Sequence, residues 1–295
     1  MTLPVHLVDA SLYVFRAWHS IPADFTDVDG HPVNAVHGFT RFLLDLLERA
    51  RPSHIAVAFD ESLTSSFRNA IYADYKANRE LPPPELVRQF AYCKQVAAAL
   101  GLPVLTDTQY EADDLIGSAV AALHRHGLHA VIVSADKDFG QLVCDNVQQW
   151  DYSRDQRWDA HGVKLRLGVR PDQVADYLAL TGDAIDNIPG VPGIGAKTAA
   201  ILLAHFGTLD ALLARVDEIA FLRMRGAATA CLRLREHAAL ARLSRALTGI
   251  AMDAPVPLEP LAYRRSLPDA AGVETLFDRL RLGPMTRARV RALVD

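Results

Sequence analysis

The sequence predicts an α/β protein: a mostly parallel central sheet flanked by helices, with a helical C-terminal region. Three observations carry this expectation. Short apolar runs, Val5-His6-Leu7-Val8, Ile55-Ala56-Val57-Ala58-Phe59 and Ala130-Val131-Ile132-Val133, alternate with longer segments of helical periodicity, as in a parallel sheet buried on both faces. Each run leads into an aspartate, Asp9, Asp60 or Asp136, and ligands of open α/β sheets bind at that strand edge. From Val169 onward strand-like runs cease and the pattern is helical.

Strand 4–9 leads into a short helix over Ala10–His19, and Asp29-Gly30 marks a turn in the polar loop 24–32. Phe39, Phe42, Leu43, Leu46 and Leu47 recur at helical spacing through Glu48, with Arg41, Asp45 and Arg49 on the other side. After the turn Arg51-Pro52-Ser53, strand 54–60 completes a strand-helix-strand unit with a right-handed crossover. Helices over 85–100 and 111–125 then alternate with strands at 103–105 and 129–135; a helical turn over 137–142 and a strand at 147–150 follow. Pro171 opens a helix through Leu180 that ends at Thr181-Gly182, and another runs from Ala199 to Phe206. The tail from Leu209 carries arginine-rich amphipathic helices such as Thr229–Leu247, and a proline-rich break at Pro255, Pro257 and Pro260. The expected division is an α/β core over 1–168, including the polar and then helical stretch at about 61–95, and a helical region over 169–295.

With 295 residues, half of them hydrophobic, the chain can bury a sizeable core. Cys93, Cys144 and Cys231 are odd in number and lack zinc spacing, which suits reduced thiols in a cytoplasmic protein. No signal peptide or membrane-length apolar stretch is expected. The net charge of -4 conceals an asymmetry: residues 1–214 hold 17 Lys and Arg against 26 Asp and Glu, whereas 215–295 hold 14 against 9. An acidic pocket and a basic flank therefore coexist. Arginine outnumbers lysine 26 to 5, and Lys76, Lys137 and Lys197 all lie in motif-like stretches. The histidines form no ligand spacing.

Two carboxylate clusters flank one helix and one strand: Glu111, Asp113 and Asp114, then Asp136 and Asp138. The first also suits the opening turn of a helix, where the macrodipole favours negative charge. With Asp9 and Asp60 delivered to the same sheet edge, however, the carboxylates would hold one another protonated unless a divalent cation sits among them. A metal site is expected.

Residues 61–84 mix cations with aromatics: Phe67-Arg68, Tyr72, Tyr75-Lys76 and Arg79, before Pro82-Pro83-Pro84. On a helix, Lys76 and Arg79 would share a face, with Tyr72 and Tyr75 placed for stacking; this suits nucleic acid, and a solvated charged segment is the alternative. The stretch Gly190-Val191-Pro192-Gly193-Ile194-Gly195-Ala196-Lys197-Thr198 is not a Walker loop, because Ala196 and Val191 occupy its glycine positions, and it lacks the Rossmann spacing. What remains is a glycine-rich hairpin between helices, either a plain tight turn or a cradle for a DNA phosphate, with Lys197 as a point charge.

Taken together, Leu7-Val8-Asp9-Ala10-Ser11, Tyr75-Lys76-Ala77-Asn78-Arg79, Glu111-Ala112-Asp113-Asp114, Asp136-Lys137-Asp138 and the run from Gly182 to Gly195 resemble the bacterial 5'-to-3' exonuclease and flap endonuclease family, which includes the N-terminal nuclease domain of DNA polymerase I. The resemblance runs in order from Leu7 to about Gly207 and thins beyond. It implies metal-binding roles for Asp9, Asp60, Glu111, Asp113, Asp114, Asp136, Asp138, Asp183 and Asp186, and places Lys76 and Arg79 in the family's helical arch. The Gly190–Thr198 stretch matches its helix-hairpin-helix, spanning about 182–206, which grips duplex backbone and in relatives holds a monovalent cation, here K⁺. Two positions depart: Ala10 stands where glycine is expected, and Ser134-Ala135 replace threonine-glycine before Asp136.

The resemblance implies a free-standing, monomeric nuclease hydrolysing phosphodiesters with two Mg²⁺ ions, for which Mn²⁺ can substitute, ~3.5–4 Å apart. Asp9, Asp60, Glu111 and Asp113 would serve one ion, and Asp114, Asp136, Asp138, Asp183 and Asp186 the other. Lys76 would stabilise charge on the scissile phosphate and Arg79 would position it; Tyr75, Gly190, Gly193, Gly195, Lys197 and Thr198 would contact DNA. The expected substrates are DNA with 5' ends, flaps or branches, including RNA-primed ends. Two rivals remain: a DNA-junction binding protein with feeble turnover, and a ribonuclease of related acidic α/β fold.

Overall fold

The computed structural model describes residues 4–61 and 66–293; part of the expected arch, 62–65, lies outside the described residues. The first strand, β1 (Val5–Asp9), is buried along its whole length and runs directly into α1 (Ala10–Ser20), which Asp9 caps. The helix α2 (Asn34–Ala50) presents Val36, Phe39, Leu43, Leu46 and Leu47 as one buried stripe, at the spacing the sequence predicts. It ends at Arg51, whose left-handed conformation turns the chain into β2 (Ile55–Ala58). α4 (Pro84–Ala99), β3 (Val104–Leu105), α5 (Ala112–Arg125) and β4 (Ala130–Val133) complete the alternation. These four strands lie in the order β3-β2-β1-β4, all parallel, with Leu7 opposite both Ala56 and Ile132.

The chain packs as two units, one comprising Met1–Leu63, Leu81–Ala135 and Met252–Asp295, the other Thr64–Glu80 and Asp136–Ala251. In the first, the C-terminal segment packs back onto the α/β layers. Ser266 N donates to Gly101 O at 2.9 Å, Asp269 N to Ala99 O at 2.9 Å, and Ala254 N to Ser118 Oγ at 2.8 Å. Gly101 is required there: its φ is +76°, and a β-carbon would lie 2.4 Å from Ser266 O. Two further helices, α12 (Ala270–Arg279) and α13 (Pro284–Ala292), follow; Arg289 of α13 pairs with Asp45 and Glu48 of α2 at 2.6 and 2.7 Å.

In the second unit, α3 (Phe67–Ile71) precedes a run of turns, and Lys137–Leu142 forms a 3₁₀ helix. Strands β5 (Val147–Asp151) and β6 (Gln156–Trp158) pair antiparallel, before α6 (Ala160–Leu167), α7 (Val174–Thr181), α8 (Ala196–Phe206) and α9 (Leu209–Ala214). The core here includes Leu178, Val191, Ile194, Leu202, Leu203, Leu234 and Ala241. Three expectations need correction. β6 and α6 are additional elements: β6 is short and polar, so only its pairing with β5 defines it. The helix expected over Thr229–Leu247 divides at His237 into α10 (Ala227–Glu236) and α11 (Ala238–Thr248), without a local breaker. Lys76 and Arg79 lie not on a helix but in turns, Lys76 at φ +56°, because this stretch folds against the turn at Asp183–Ile188.

Candidate metal centre and nucleic-acid interface

In the first unit, Asp9 is buried at the end of β1, and its Oδ2 accepts a 2.8 Å hydrogen bond from Ser134 Oγ, just past β4. Asp60 follows β2. Its backbone N–H donates to Ser11 Oγ at 3.1 Å, and its Oδ1 accepts from Ala112 N, the opening amide of α5, at 2.8 Å. An aspartate from a neighbouring strand thus helps to satisfy an amide of the helix N-terminus. Glu111, Asp113 and Asp114 share that end, with a ligand atom from each within 4.8 Å of the others. Glu111 N donates to Asp114 Oδ2 at 3.1 Å and Asp114 N to Asp113 Oδ1 at 2.9 Å, so backbone amides orient the carboxylates. The structure brings Asp9, Asp60, Glu111, Asp113 and Asp114 to the strand ends and helix opening of one unit.

The second unit gathers the rest. Asp136 is exposed and caps the 3₁₀ helix, its Oδ1 accepting from Asp138 N at 3.0 Å. Lys137 Nζ lies 2.5 Å from Asp183 Oδ2 and 3.9 Å from Asp138 Oδ1. Burial opposes Asp183's charge, but Lys137 and the amides of Ile185 and Asp186 outweigh it and hold the carboxyl below its ordinary range. Burial also opposes the charge on Lys137, whose pKa Asp183, Asp138 and Asp136 nonetheless raise. Asp138, with its side chain 24% exposed, is pushed up to about 8 by burial and then by Asp136, Asp183 and Asp186, with Lys137 working the other way.

Asp183 and Ile188 close their turn with reciprocal backbone bonds of 2.9 and 2.8 Å. The turn preceding Glu80 is fastened to it: Lys76 N donates to Asp186 O at 3.0 Å, Asn78 Nδ2 to Ala184 O at 2.8 Å, and Asn187 Nδ2 to Asp74 O at 2.6 Å. Arg79 forms an ion pair with Asp186, and Lys76 Nζ lies 3.8 Å from the same carboxylate. The stacking expectation for Tyr75 is corrected. Its ring is 4% exposed, packed with Ile188 and Leu247, and its hydroxyl donates to Asp186 Oδ2 at 3.4 Å.

At the glycine-rich hairpin, Gly182 and Gly190 meet backbone to backbone. Gly190 has φ +63°, and a β-carbon on it would lie 2.3 Å from Gly182 N. Gly190 N donates to Ser244 Oγ at 3.1 Å. Gly193, Gly195 and Lys197 are exposed and Thr198 half-buried, and Gly195 caps α8 without a side-chain bond. The first amides of α8 consequently face outward with a lysine among them.

The model of the 5'-3' exonuclease N-terminal resolvase-like domain matches residues 4–168, and that of the 5'-3' exonuclease C-terminal SAM fold matches 169–271. The chain belongs to the 5'-3' exonuclease family. Among curated relatives, DNA polymerase I of Rhizobium leguminosarum is 41% identical over 86% of this chain and 25% of its own length. DNA polymerase I of Bacillus caldotenax is 36% identical over 93% of this chain and 31% of its own. The chain thus spans a quarter to a third of these relatives. Among solved structures, T5 5'-exonuclease with bound zinc has a TM-score of 0.69 at 18% identity, covering 99% of this chain and 98% of that one. The catalytic core of Rad2 in complex with DNA substrate has a TM-score of 0.65 at 14% identity, covering 99% and 92%. Both share the 5'-3' exonuclease fold.

Several supporting residues of this family member have roles that their sequence neighbours do not announce. Ser11 and Ser134 hold the aspartates that end two strands, and the departure at Ser134-Ala135 was the signal available for one of them. Arg68, almost wholly buried, donates to Leu247 O at 2.9 Å and Gly249 O at 2.8 Å, where α11 ends. Its place beside Phe67 in a polar stretch concealed this.

Proposed function

We propose that this chain is a divalent-metal-dependent 5'-3' exonuclease and flap endonuclease that hydrolyses DNA phosphodiesters. The observation that carries the reading is the convergence of Glu111, Asp113 and Asp114 within 4.8 Å at the opening of α5, in a chain of the 5'-3' exonuclease family. The donor set fits a hard cation. It consists of carboxylate oxygens, without cysteine or histidine, as Mg²⁺ or its substitute Mn²⁺ prefers. The raised pKa of Asp138, caused by burial and the neighbouring Asp136, supports the same reading for the second unit.

Asp9, Asp60, Glu111 and Asp113 would hold one ion; Asp114, Asp136, Asp138, Asp183 and Asp186 would hold the other, directly or through water. When bound, such ions supply an activated water and charge stabilisation at the leaving oxygen. Ser134 and Ala112 N fix the Asp9 and Asp60 carboxylates, so the donors are oriented before substrate arrives. Lys76 and Arg79, kept near Asp186, are cations for the reacting phosphate, and Tyr75 supports them from beneath. The hairpin Gly190, Gly193, Gly195, Lys197 and Thr198 grips duplex backbone, with K⁺ as its monovalent ion. The α/β core over 1–168 supplies most of the carboxylates, and the hairpin within the helical region 169–295 holds DNA, including RNA-primed ends, in a cytoplasmic monomer. Among the described residues no helix is long and apolar enough to cross a membrane.

The test is cleavage of a 5'-labelled flap with Mg²⁺ and with EDTA. Metal-dependent release of the flap supports the reading. Binding of the flap without cleavage in Mg²⁺ or Mn²⁺ replaces it with that of a junction-binding protein.

A further inference from the structure

A second concave site lies in the first unit, away from the carboxylates. Pro52 and Ser53 precede β2, whereas Asp60 follows it, so the strand separates the two by about 20 Å at ~3.3 Å per residue. The cavity measures about 630 Å³ and is lined by Pro52, Ser53, Leu261, Arg264, Arg265 and Leu267, among others. That is an ordinary size for a ligand site. Its frame is backbone: His54 and Arg264 form a β-bridge, and Arg265 N donates to Ser53 O at 2.9 Å.

The lining combines two kinds of unsatisfied surface. Leu261 is 70% and Leu267 68% exposed, and the neighbouring Leu258 is also exposed. Among the described residues, Arg264 forms no ion pair, and the Arg265 guanidinium donates only to Leu293 O, at 3.3 Å. Burial lowers the pKa of Arg265, and among the described residues no carboxylate pairs with it. Elsewhere in the same unit Arg279, Arg287 and Arg289 all have carboxylate partners. Two adjacent guanidiniums facing a leucine-walled groove complement a chain that offers carboxylates and aliphatic side chains together. Among the described residues, the cavity lining has no aromatic side chain on which a base would stack.

We propose that this groove docks a peptide segment of a partner protein in which acidic residues flank aliphatic ones. Its carboxylates pair with Arg264 and Arg265, and its aliphatic side chains cover Leu261 and Leu267. The docking does not depend on the nuclease reading, because none of its residues belongs to the acidic clusters or the hairpin.

The test pans random phage-displayed dodecapeptides against the full chain, then measures the best peptide, fluorescein-labelled, by anisotropy. The expected result is enrichment of peptides with Asp or Glu close to Leu, Ile or Val. Arg264→Glu should weaken the peptide at least tenfold and Leu261→Ser several-fold; both side chains are exposed, so melting temperature and flap-DNA affinity should hold. Failure to enrich acidic-aliphatic peptides, or equal affinity in Arg264→Glu, overturns the proposal. If Arg264→Glu instead lowers DNA affinity and its salt dependence, the groove is a nucleic-acid contact and the peptide assignment fails.

Discussion

Ser134 Oγ donates a 2.8 Å hydrogen bond to Asp9 Oδ2, and both residues are buried at the ends of adjacent parallel strands. The hydroxyl holds one orientation of the Asp9 carboxylate. Ser134→Ala should destabilise the protein by about 1–3 kcal/mol, the cost of a buried acceptor losing a donor. Single-turnover cleavage should fall with it, and Ser134→Thr, which keeps the hydroxyl, should retain the rate. Thermal melts and a labelled flap check both; an alanine variant as stable and as fast as wild type refutes the role.

The crowding around Asp138 predicts a pH dependence of stability. Its folded pKa, about 8, lies above the ordinary carboxyl value of 3.8, so the folded state binds its proton more tightly than the unfolded chain does. Stability contributed by that proton is present below 3.8 and is lost as pH rises towards 8. In EDTA, melting temperature should therefore fall between pH 5.5 and 8.5, by an amount corresponding to a few kcal/mol at most, since one pKa unit is about 1.4 kcal/mol. Asp138→Asn should flatten the slope, and Mg²⁺ should raise the melting temperature more at pH 8 than at pH 6. Calorimetry across that range decides it.

Lys76 and Arg79 share one partner, Asp186, so their effects should be coupled. Lys76→Ala should lower cleavage tens- to thousands-fold, as loss of a charge partner at the reacting phosphate does, while duplex affinity changes little. Asp186→Asn should keep flap affinity in Ca²⁺ and lose cleavage in Mg²⁺ steeply. The double variant should be less impaired than the product of the two. Independent, multiplicative losses would show that the ion pair has no functional part.

Lys197 should behave in the opposite way. It is an exposed cation in the first turn of α8 and, among the described residues, forms no ion pair with a carboxylate. Lys197→Ala should weaken duplex binding and reduce the slope of log affinity against log salt by about 1, with cleavage at saturating DNA unchanged. An unaltered slope would remove the hairpin lysine from the phosphate contacts.

Local pattern specifies the α/β layers, because β1, β2 and β4 are short, mostly apolar runs buried throughout and α2 keeps a helical stripe. It also determined which residue types the site offers, since aspartates that end buried strands are few and visible. Tertiary structure alone decided their partners. Nothing local to Ser134 points to Asp9, 125 residues away, nor does Arg68 announce that it closes the end of α11. Tyr75 shows the difference plainly: beside Lys76 it suits stacking on a base, yet packing against Ile188 and Leu247 buries it. The division of one amphipathic stretch at His237, the turn that holds Lys76 at positive φ, and the return of residues 252–269 to the edge at Ser53 and Gly101 all rest on contacts between distant segments. Periodicity reports which face of an element seeks burial; only the folded chain decides what that face meets.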